Sequence, residues 1–586
     1  MSTFRFSPRP NRAHEIRWQE WGEAAFEQAQ REDRPLLLGI SAVWCHWCHV
    51  MDETSYSDQA VIDLINGSFI PVRVDNDQRP DINARYNAGG WPSTVLLSPE
   101  GEVLSAHTYL PPEQLRPLLE QVSTFFRENR EEVRRRVEEL AHRQQGAAAP
   151  APGEVTPDMV ESIVASISQA YDSIYGGLGT EPKFPNPTAW ELVLERAHLG
   201  HDTRLRQMLT WTLDGMAKGG LFDHHEGGFF RYSTTRDWTV PHFEKMLGDN
   251  AALIRLYTHA YQSTGEDSYR LTAQKVAGYV QRTLYDPDQG AFYGSQDADE
   301  EYFALGLQGR SGRQPPFVDR TVYTDVAAAA ASAFLELYQA LGALGETEYR
   351  DVALKGLDFL WQRLYRPGEG MAHFPSTQPL PLLLADQVAM AGALLDAYQA
   401  TGLRHYLDRA RELASILMEH FSAPEGGFQD QADRSQALGR LRYPQRPLPE
   451  NSAAARVLTR LAHLTGDSAY REAAHSTLRA FAQAYQQYGT LAADYALSVA
   501  RFTESPVHVV IVGRPGDDAT EGLLSAALST FRPGKLVQVI DPGADGDRLR
   551  ELGYLTQPVA AYVCRGQTCQ AQVTNPEGVA GAVASA

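Results

Sequence analysis

The chain has 586 residues and a mass of 64.9 kDa, which is more than one hydrophobic core usually supports, so two to four domains are expected. Its formal net charge of −20 argues against nucleic acid or an anionic membrane as a partner, because both depend on Lys and Arg. No apolar run approaches the roughly 20 residues of a membrane span, and the first residues lack a signal-peptide pattern. We therefore expect a cytoplasmic protein.

The N-terminal region alternates predicted strands and helices. Residues 35–42 (PLLLGISA) predict a buried strand that leads directly into WCHWC, and the next twenty residues have helical spacing. FIPVRVD predicts a second strand, and GGWPSTVLLSPEGEVL predicts a proline-led strand, a turn and a returning strand. Residues 113–143 then predict a long, highly charged helix. This order resembles a thioredoxin fold, which implies that Pro92 is cis and packs beside Cys45 and Cys48, where it would hinder metal binding.

Three chemistries are open to Cys45 and Cys48: a redox dithiol, half of a zinc site with nearby histidines, or a CxxCH haem attachment site. The redox interpretation is favoured, because a thiolate at an exposed helix N-terminus gains from the unpaired N–H groups there. Cys45 would then be the nucleophile, aided by protonated His46 or His49, and Cys48 the resolving thiol. Thioredoxins usually carry a buried aspartate where this chain has Gly39, so a vestigial or regulatory dithiol stays an alternative.

A second domain follows a low-complexity linker at residues 146–157. A Tyr-Gln-X-X-Gly pattern ends helical segments at residues 261–265, 338–342 and 398–402, and a related segment lies at 462–466. About twelve helical patterns fall between residues 157 and 502, which predicts an all-α (α/α)6 toroid of six inner and six outer helices over residues 158–504. The predicted domains are thus 1–145, 158–504 and a small α/β subdomain at 505–586.

Polar residues at the predicted inner-helix starts would converge on one funnel-shaped face. Many of these residues are also ordinary helix caps, which is the competing interpretation. The set comprises Lys183, Asn186, His242, Glu244, Asp325, Asp386, Glu450, Asn451 and Asp494.

Two clusters are denser in titratable groups than capping requires, and such density suits acid–base chemistry. The first lies within residues 222–250 and comprises Asp223, His224, Arg231, His242, Glu244, Lys245 and Asp249. The second is Gln296-Asp297-Ala298-Asp299, in which Asp297 and Asp299 could act as paired carboxylates in sugar chemistry.

Several long motifs resemble the thioredoxin-domain-containing family related to spermatogenesis-associated protein 20. They are WCHWCHVM, RVDNDQRPDIN, GGWPSTVLLSPEG, YGGLGTEPKFPNP, GGLFDHHEGGFFRYS, VPHFEKMLGDN, the QDAD segment and AYVCRGQTC. The resemblance implies a thioredoxin-like domain fused to a six-hairpin toroid, without an established reaction. This chain departs from the family by a compressed region at residues 300–322 and by Val326-Ala327 in place of a Trp-Asn pair.

The tail contains the second cysteine pair, Cys564 and Cys569, which could be bonded or could be small apolar residues. Three functions stay open for the whole chain: a thiol–disulfide redox protein whose toroid recognises the target, a carbohydrate-active enzyme of epimerase or glycosidase type, and a non-catalytic scaffold. We expect no metal or cofactor, and a thiol, disulfide or sugar-like partner. The oligomeric state is not predicted.

Overall fold

The structure is a computed structural model that describes residues 4–145, 151–378, 380–566 and 568–586. The predicted linker lies partly outside these ranges, at residues 146–150.

The N-terminal region forms the predicted strands and the predicted helix after Cys45, but the single helix predicted over residues 113–143 is wrong, because the backbone at Asn129 is not helical and divides it into two helices. The elements are α1 (Glu23–Glu32), β1 (Leu36–Ser41), α2 (His46–Glu53), α3 (Gln59–Ser68), β2 (Ile70–Asp75), α4 (Pro80–Tyr86), β3 (Ser93–Leu97), β4 (Val103–His107), α5 (Pro112–Glu128) and α6 (Arg130–Gln145).

The middle of the chain is helical, with two-residue strands in its loops. The elements are α7 (Asp158–Ala170), α8 (Pro187–Gly200), α9 (Thr203–Lys218), β5 (Tyr232–Ser233), β6 (Pro241–His242), β7 (Lys245–Met246), α10 (Leu247–Thr264), α11 (Asp267–Thr283), β8 (Tyr285–Asp286), β9 (Ala291–Phe292), β10 (Ser295–Gln296), α12 (Glu300–Phe303), α13 (Leu307–Arg310), β11 (Val318–Asp319), α14 (Thr324–Leu341), α15 (Glu348–Leu364), β12 (Tyr365–Arg366), β13 (Gly370–Met371), α16 (Leu384–Thr401), α17 (Arg404–Ile416), α18 (Leu448–Thr465), α19 (Ser468–Phe481) and α20 (Ala493–Thr503).

The C-terminal region forms an α/β subdomain, as predicted. Its elements are β14 (Val507–Val512), α21 (Asp518–Ser529), β15 (Leu536–Ile540), α22 (Gly546–Leu552), β16 (Ala560–Arg565), β17 (Thr568–Cys569) and α23 (Pro576–Ser585). The sheet order is β15-β14-β16-β17, with β15 parallel to β14 and the other neighbours antiparallel.

The chain divides into two compact units, and the division corrects the predicted boundaries. Unit 1 comprises residues 1–149, 295–319 and 431–445, and unit 2 comprises 150–294, 320–430 and 446–586. The continuous span 158–504 is therefore wrong as the extent of the helical domain. Packing explains why residues 431–445 belong to unit 1, because Leu441 is buried in the same core as Phe26 and Leu36 of the N-terminal region.

Unit 1 is built on a four-stranded sheet with the order β2-β1-β3-β4. Strand β1 runs parallel to β2 and antiparallel to β3, as the predicted thioredoxin-like fold requires. Space at Gly39, in the centre of β1, is tight, since an added Cβ would lie 3.3 Å from the Trp18 ring and 3.5 Å from the Tyr56 hydroxyl. A side chain at this position would therefore require a small shift of the Trp18 ring.

Unit 2 closes into the predicted ring. The inner helices pack in the order α8, α10, α14, α16, α18, α20 and back to α8. Each inner helix packs against one outer helix. In the same order, the outer helices are α9, α11, α15, α17, α19 and α7. The predicted (α/α)6 toroid is confirmed.

Glycine ends three of the inner helices, as the repeated pattern predicts. Gly265, Gly402 and Gly466 adopt left-handed backbone, with φ between 69° and 78°, and their N–H groups bond the carbonyl four residues back. Gly342 differs, because it keeps right-handed helical backbone and the turn comes at Gly345.

Inner helices also hold the glycine-rich loops by a repeated amide clamp, formed by the fourth residue of three helices. Asn250 accepts the Phe229 N–H and donates to the Phe229 carbonyl at 2.7 and 3.1 Å. Gln387 makes the same pair of bonds with Met371 at 2.6 and 2.7 Å, and Asn451 with Phe428 at 2.7 and 2.9 Å. The clamp fixes each loop at the start of its inner helix.

Residues 324–344 have the length and hydropathy of a membrane-spanning helix, contrary to the expectation that no segment does. This segment includes the inner helix α14, which packs against α10, α16 and α15. Its alanines sit in the centre of the ring wall, and 61% of the apolar window is buried. A helix that is buried in the core of a protein has the same apolar composition.

Candidate functional site

The dithiol lies at the start of α2, as predicted. Cys45 is the N-cap residue, and its sulfur accepts the Cys48 backbone N–H at 3.1 Å. The two sulfurs are bonded to each other. Their exposure differs from the expectation, since Cys45 is 3% exposed and Cys48 is 2% exposed. Cys45 is therefore covered and does not lie at an open helix end.

Aromatic rings pack beside the dithiol. Trp44, the residue before Cys45, contacts the Trp91 ring edge-on at 5.6 Å, and its indole N–H donates to Asp77 at 2.6 Å. The Trp91–Pro92 peptide bond is cis, as the resemblance implies, and Pro92 is buried. By contrast, Trp47 is 44% exposed. These contacts connect the cis-proline loop to the residue that precedes the reactive pair.

The QDAD segment lies against the dithiol helix, within unit 1. Within unit 1, His46 Nδ1 contacts Glu300 Oε1 at 2.6 Å and His49 Nε2 lies 3.7 Å from Asp297 Oδ2. Asp299 caps the short helix α12 by accepting the Tyr302 N–H. Residues 295–319 belong to unit 1 and not to the helical unit, so Asp297 and Asp299 are not part of the ring itself, and their role as paired carboxylates stays a prediction.

His49, next to the dithiol, is not a cation at neutral pH. Burial lowers the pKa of His49 despite the carboxylates near it, so this ring is neutral at pH 7. The expectation that a protonated His49 assists Cys45 is wrong for this reason. The His46 and His49 rings instead tie α2 to the segment that follows β10.

A buried ion pair lies one turn beyond Cys48. Asp52 is 1% exposed and receives two hydrogen bonds from the Arg73 guanidinium, at 2.8 and 3.0 Å. Arg73 sits on β2 directly opposite Gly39. The Asp52 carboxylate thus lies near Gly39, the position at which thioredoxins usually carry an aspartate, but Arg73 neutralises its charge. Sequence analysis missed it, because the two residues are distant in the chain.

Three of the predicted funnel residues instead form buried ion pairs. Lys183 is fully buried and contacts Asp172 at 2.7 Å, and Lys245 is fully buried and contacts Asp223 at 2.7 Å. Each ammonium also donates to a glycine carbonyl in the loop that the aspartate begins. The funnel prediction is wrong for Lys183, Asp223 and Lys245, because these groups stabilise loops from inside.

Apart from His224, the rest of the 222–250 cluster lies around one buried carboxylate. Glu244 is 2% exposed and lies 3.2 Å from both Arg231 Nη1 and His242 Nδ1. Burial raises the pKa of the nearby Asp249 to about 6, which Arg231 opposes. His224 is exposed and its Nε2 lies 3.0 Å from the Gly219 carbonyl oxygen, away from this group.

Asp386 lies in a buried polar group at the start of its inner helix. Its Oδ1 is 2.9 Å from His373 Nδ1, and Asp325, His373 and Asp386 each offer a ligand atom within 4.8 Å of the other two. Burial raises the pKa of Asp386 to about 6, although His373 opposes this change. The group could exchange a proton or hold a cation. Asn451, by contrast, is fully used by its loop clamp.

A central cavity of about 590 Å³, called the channel below, lies inside the ring, and all six inner helices line it. Asp325, Glu450 and Asp494 lie at the helix starts, as predicted. Segment 531–536 of the C-terminal subdomain lines the other end. The channel wall also contains charged residues that sequence analysis did not single out, namely Glu191, Glu195, Arg255, His259, Glu336, Asp396, Arg456, Arg460 and Arg501.

These channel charges form a connected network. Arg255 donates to Glu336 at 2.7 Å and to Ser332 at 2.8 Å, while Ser332 and Arg460 both donate to Asp396. Burial alone would lower the pKa of His259, but the carboxylates of Glu191 and Glu336 outweigh it and raise the pKa to about 9. His259 is therefore a cation at pH 7, and the lining carries both charge signs.

The raised pKa of His259 predicts a loss of stability at alkaline pH. Its contribution, about 3 kcal/mol for a shift from about 6.5 to about 9, is full below about pH 6.5 and disappears as pH rises through about 9. Urea unfolding across this range should show the decline in wild type and a flatter profile in His259→Gln. Equal pH dependence in both proteins would contradict the assignment, and exposed His420→Gln is the matched control.

Part of this network could have been found in the sequence. Glu191 and Glu195, Arg255 and His259, and Arg456 and Arg460 stand four residues apart on the predicted inner helices. Such spacing places charges on one helix face. His373 carried no comparable signal, since it stands alone in a loop.

Family comparisons match two parts of the chain. The family Thioredox_DsbH, described as a protein of unknown function (DUF255), matches residues 9–145, and glycosyl hydrolase family 47 matches residues 387–535. The human spermatogenesis-associated protein 20 is 25% identical over 96% of this chain and 89% of its own length. The chain resembles spermatogenesis-associated protein 20 along nearly its whole length.

Other relatives extend this finding. The mouse spermatogenesis-associated protein 20 is 34% identical over 48% of this chain and 39% of its own length. An uncharacterized Caenorhabditis elegans protein is 24% identical over 95% of this chain and 93% of its own. The predicted resemblance to the family of spermatogenesis-associated protein 20 is confirmed.

The comparison with solved structures also gives matches. Cellobiose 2-epimerase from Bacillus thermoamylovorans has a TM-score of 0.46 and 11% identity, and covers 57% of this chain and 88% of its own. A GH76 α-mannanase from Bacteroides thetaiotaomicron has a TM-score of 0.43 and 12% identity, and the match covers 59% of this chain and 94% of the mannanase chain. The ring assignment rests on the helix contacts described above.

Proposed function

We propose that this protein is a thiol–disulfide oxidoreductase whose reactive pair is Cys45 and Cys48. The observation that carries the proposal is the 3.1 Å hydrogen bond from the Cys48 N–H to the Cys45 sulfur at the start of α2. A thiolate at this position is stabilised by the helix N-terminus, and that thiolate is the attacking species in disulfide exchange. The cis-proline loop beside Trp44 supports the same function.

The burial of both sulfurs restricts the substrate. Because Cys45 is only 3% exposed, a folded protein disulfide reaches it only after neighbouring side chains move. A small disulfide or an extended peptide fits the site better. His46 and His49 contact residues 297–300, so this segment is the part of unit 1 that would control approach along α2.

The proposal predicts a lowered thiol pKa for Cys45. In a protein carrying Cys48→Ser, Cys564→Ser and Cys569→Ser, Cys45 is the single thiol, and its ionisation can be followed by ultraviolet absorbance against pH. We expect a native pKa below the value of about 8.5 for a free thiol, because the helix N-terminus outweighs burial. The same protein in urea is the control, and a native pKa at or above the unfolded one would reject the activated nucleophile.

We propose a second function for the toroid, namely binding and conversion of a small polar, sugar-like molecule in the channel. The specific observation in its favour is the 590 Å³ channel lined by ionisable groups of both signs. Such a lining offers hydrogen-bond donors and acceptors for hydroxyl groups. The group of Asp325, His373 and Asp386 at the inner-helix starts supplies candidate acid–base residues, and the partial match to glycosyl hydrolase family 47 supports this direction.

Thermal unfolding with a panel of monosaccharides, disaccharides and sugar phosphates tests this second function. A ligand at 100 times its Kd should stabilise wild type by about 2.7 kcal/mol. The stabilisation should disappear in Arg460→Gln, a channel variant, and persist in Arg363→Gln, an exposed control outside the channel lining. No stabilisation by any compound, or an equal response of both variants, would reject it.

A further inference from the structure

A second cysteine pair lies at the edge of the C-terminal sheet. Cys564 on β16 stands directly opposite Cys569 on β17, and the two sulfurs are bonded. Strand β17 is the outermost strand in the order β15-β14-β16-β17. The pair thus links two antiparallel neighbours across a tight hairpin, in unit 2.

The two sulfurs differ in access. Cys564 is 5% exposed and faces the Tyr554 hydroxyl at 3.9 Å, whereas Cys569 is exposed. An external thiolate can therefore approach Cys569 from the open edge of the sheet. The same attack on Cys564 is hindered by the protein. This asymmetry gives the pair one attacked sulfur and one leaving sulfur, as disulfide exchange requires.

The hairpin has other contacts that hold it without the disulfide. The Gln570 N–H bonds the Val563 carbonyl at 2.9 Å, and Ala561 and Val573 exchange two backbone hydrogen bonds at 2.8 and 2.9 Å. The following helix α23 anchors its Val579 and Val583 in the core of the subdomain. Opening the disulfide should therefore leave the sheet folded, which a reversible redox site needs.

Exposure adds a reason for the bond to open easily. Cys569 lies at the surface, and exposed disulfides are the more reducible, labile ones.

We propose that Cys564 and Cys569 form a second thiol–disulfide site, which exchanges with external thiols independently of Cys45 and Cys48. The thiolate of a reductant attacks the Cys569 sulfur, the Cys564–Cys569 bond breaks, and Cys564 leaves as a thiolate that takes up a proton. A second reductant thiolate attacks the mixed disulfide, which releases the Cys569 thiolate and the oxidised reductant. Two electrons pass to the protein, and the reductant gains one disulfide.

Mass spectrometry after alkylation tests the proposal in folded, full-length protein carrying Cys45→Ser and Cys48→Ser. The protein is equilibrated in glutathione buffers and, separately, with a protein dithiol such as reduced thioredoxin, which distinguishes small from macromolecular reductants. We expect two thiols to appear together without loss of far-ultraviolet circular dichroism, and the disulfide to re-form on return to oxidised buffer. A pair that opens only in urea, or that fails to re-form, would overturn the proposal.

Single variants test the order of attack. In Cys564→Ser, the exposed Cys569 should form a mixed disulfide with oxidised glutathione. In Cys569→Ser, the buried Cys564 should react at least about tenfold more slowly, because access controls thiol reactivity. Equal rates would overturn the assigned roles. Wild type, followed by the same alkylation at peptide level, provides the measurement if either variant misfolds.

Discussion

Replacing Cys45 with serine is expected to reduce disulfide-exchange activity to the rate of buffer alone, because serine cannot supply the attacking thiolate. Glutathione-disulfide or peptide-disulfide reduction, with a dithiol as the electron source, gives the measurement. Cys48→Ser should behave differently: Cys45 still attacks, but the mixed disulfide is not resolved. This variant should therefore accumulate a covalent adduct that mass spectrometry detects.

The matched control is Cys569→Ser, which leaves the α2 dithiol intact and should keep the turnover that depends on Cys45. Activity in Cys45→Ser equal to that of wild type would end the redox proposal for this pair. Loss of activity in Cys569→Ser, with activity kept in Cys45→Ser, would instead assign turnover to the C-terminal pair. The comparison thus separates the two cysteine sites in one assay.

Lys245→Met is expected to destabilise the protein by about 3–5 kcal/mol, because it leaves the Asp223 carboxylate buried without its counter-ion. Methionine keeps most of the volume of the lysine stem, so a cavity contributes little. The two charged atoms lie 2.7 Å apart, and both side chains are at most 1% exposed. Urea unfolding of the full chain measures the loss.

A double variant distinguishes the lost ion pair from general damage. In Lys245→Met/Asp223→Asn, no buried charge is left, and the asparagine can still accept the His225 N–H that Asp223 accepts at 3.0 Å. The double variant should therefore be more stable than Lys245→Met alone. If it is equally or less stable, the pair does not act as described, and the interpretation of Lys245 as a loop-stabilising residue fails.

Local sequence patterns predicted most of the fold. The CxxC motif after an apolar run, the proline-led strand and the glycine-terminated helices each reflect interactions within a few residues, and each is confirmed. The clamp residue Asn451 was noticed only as a helix-start residue. Its role depends on Phe428, which lies in the preceding loop, so backbone pairing had to be seen before the role was clear.

Contacts between distant segments account for the failures. Asp297 stands 248 residues after His49, and no local pattern indicates that the two side chains meet. The titratable density around Asp223 suggested chemistry, but density alone does not separate a reactive group from a neutralised buried pair. Burial of Cys45 likewise depends on tertiary packing that the motif does not encode.

Unit 1 contains two segments from later in the chain, and this has a consequence for biosynthesis. The Tyr86 hydroxyl donates to the Gly101 carbonyl and accepts the Arg440 N–H. Both hydrogen bonds of this hydroxyl can therefore be made only after residue 440 has been synthesised. Leu441 reaches its core at the same late stage. During translation, the apolar surface that Leu441 later covers stays exposed on the first 145 residues until about three hundred more residues have been added. We therefore expect the nascent chain to be most prone to aggregation before residues 431–445 emerge.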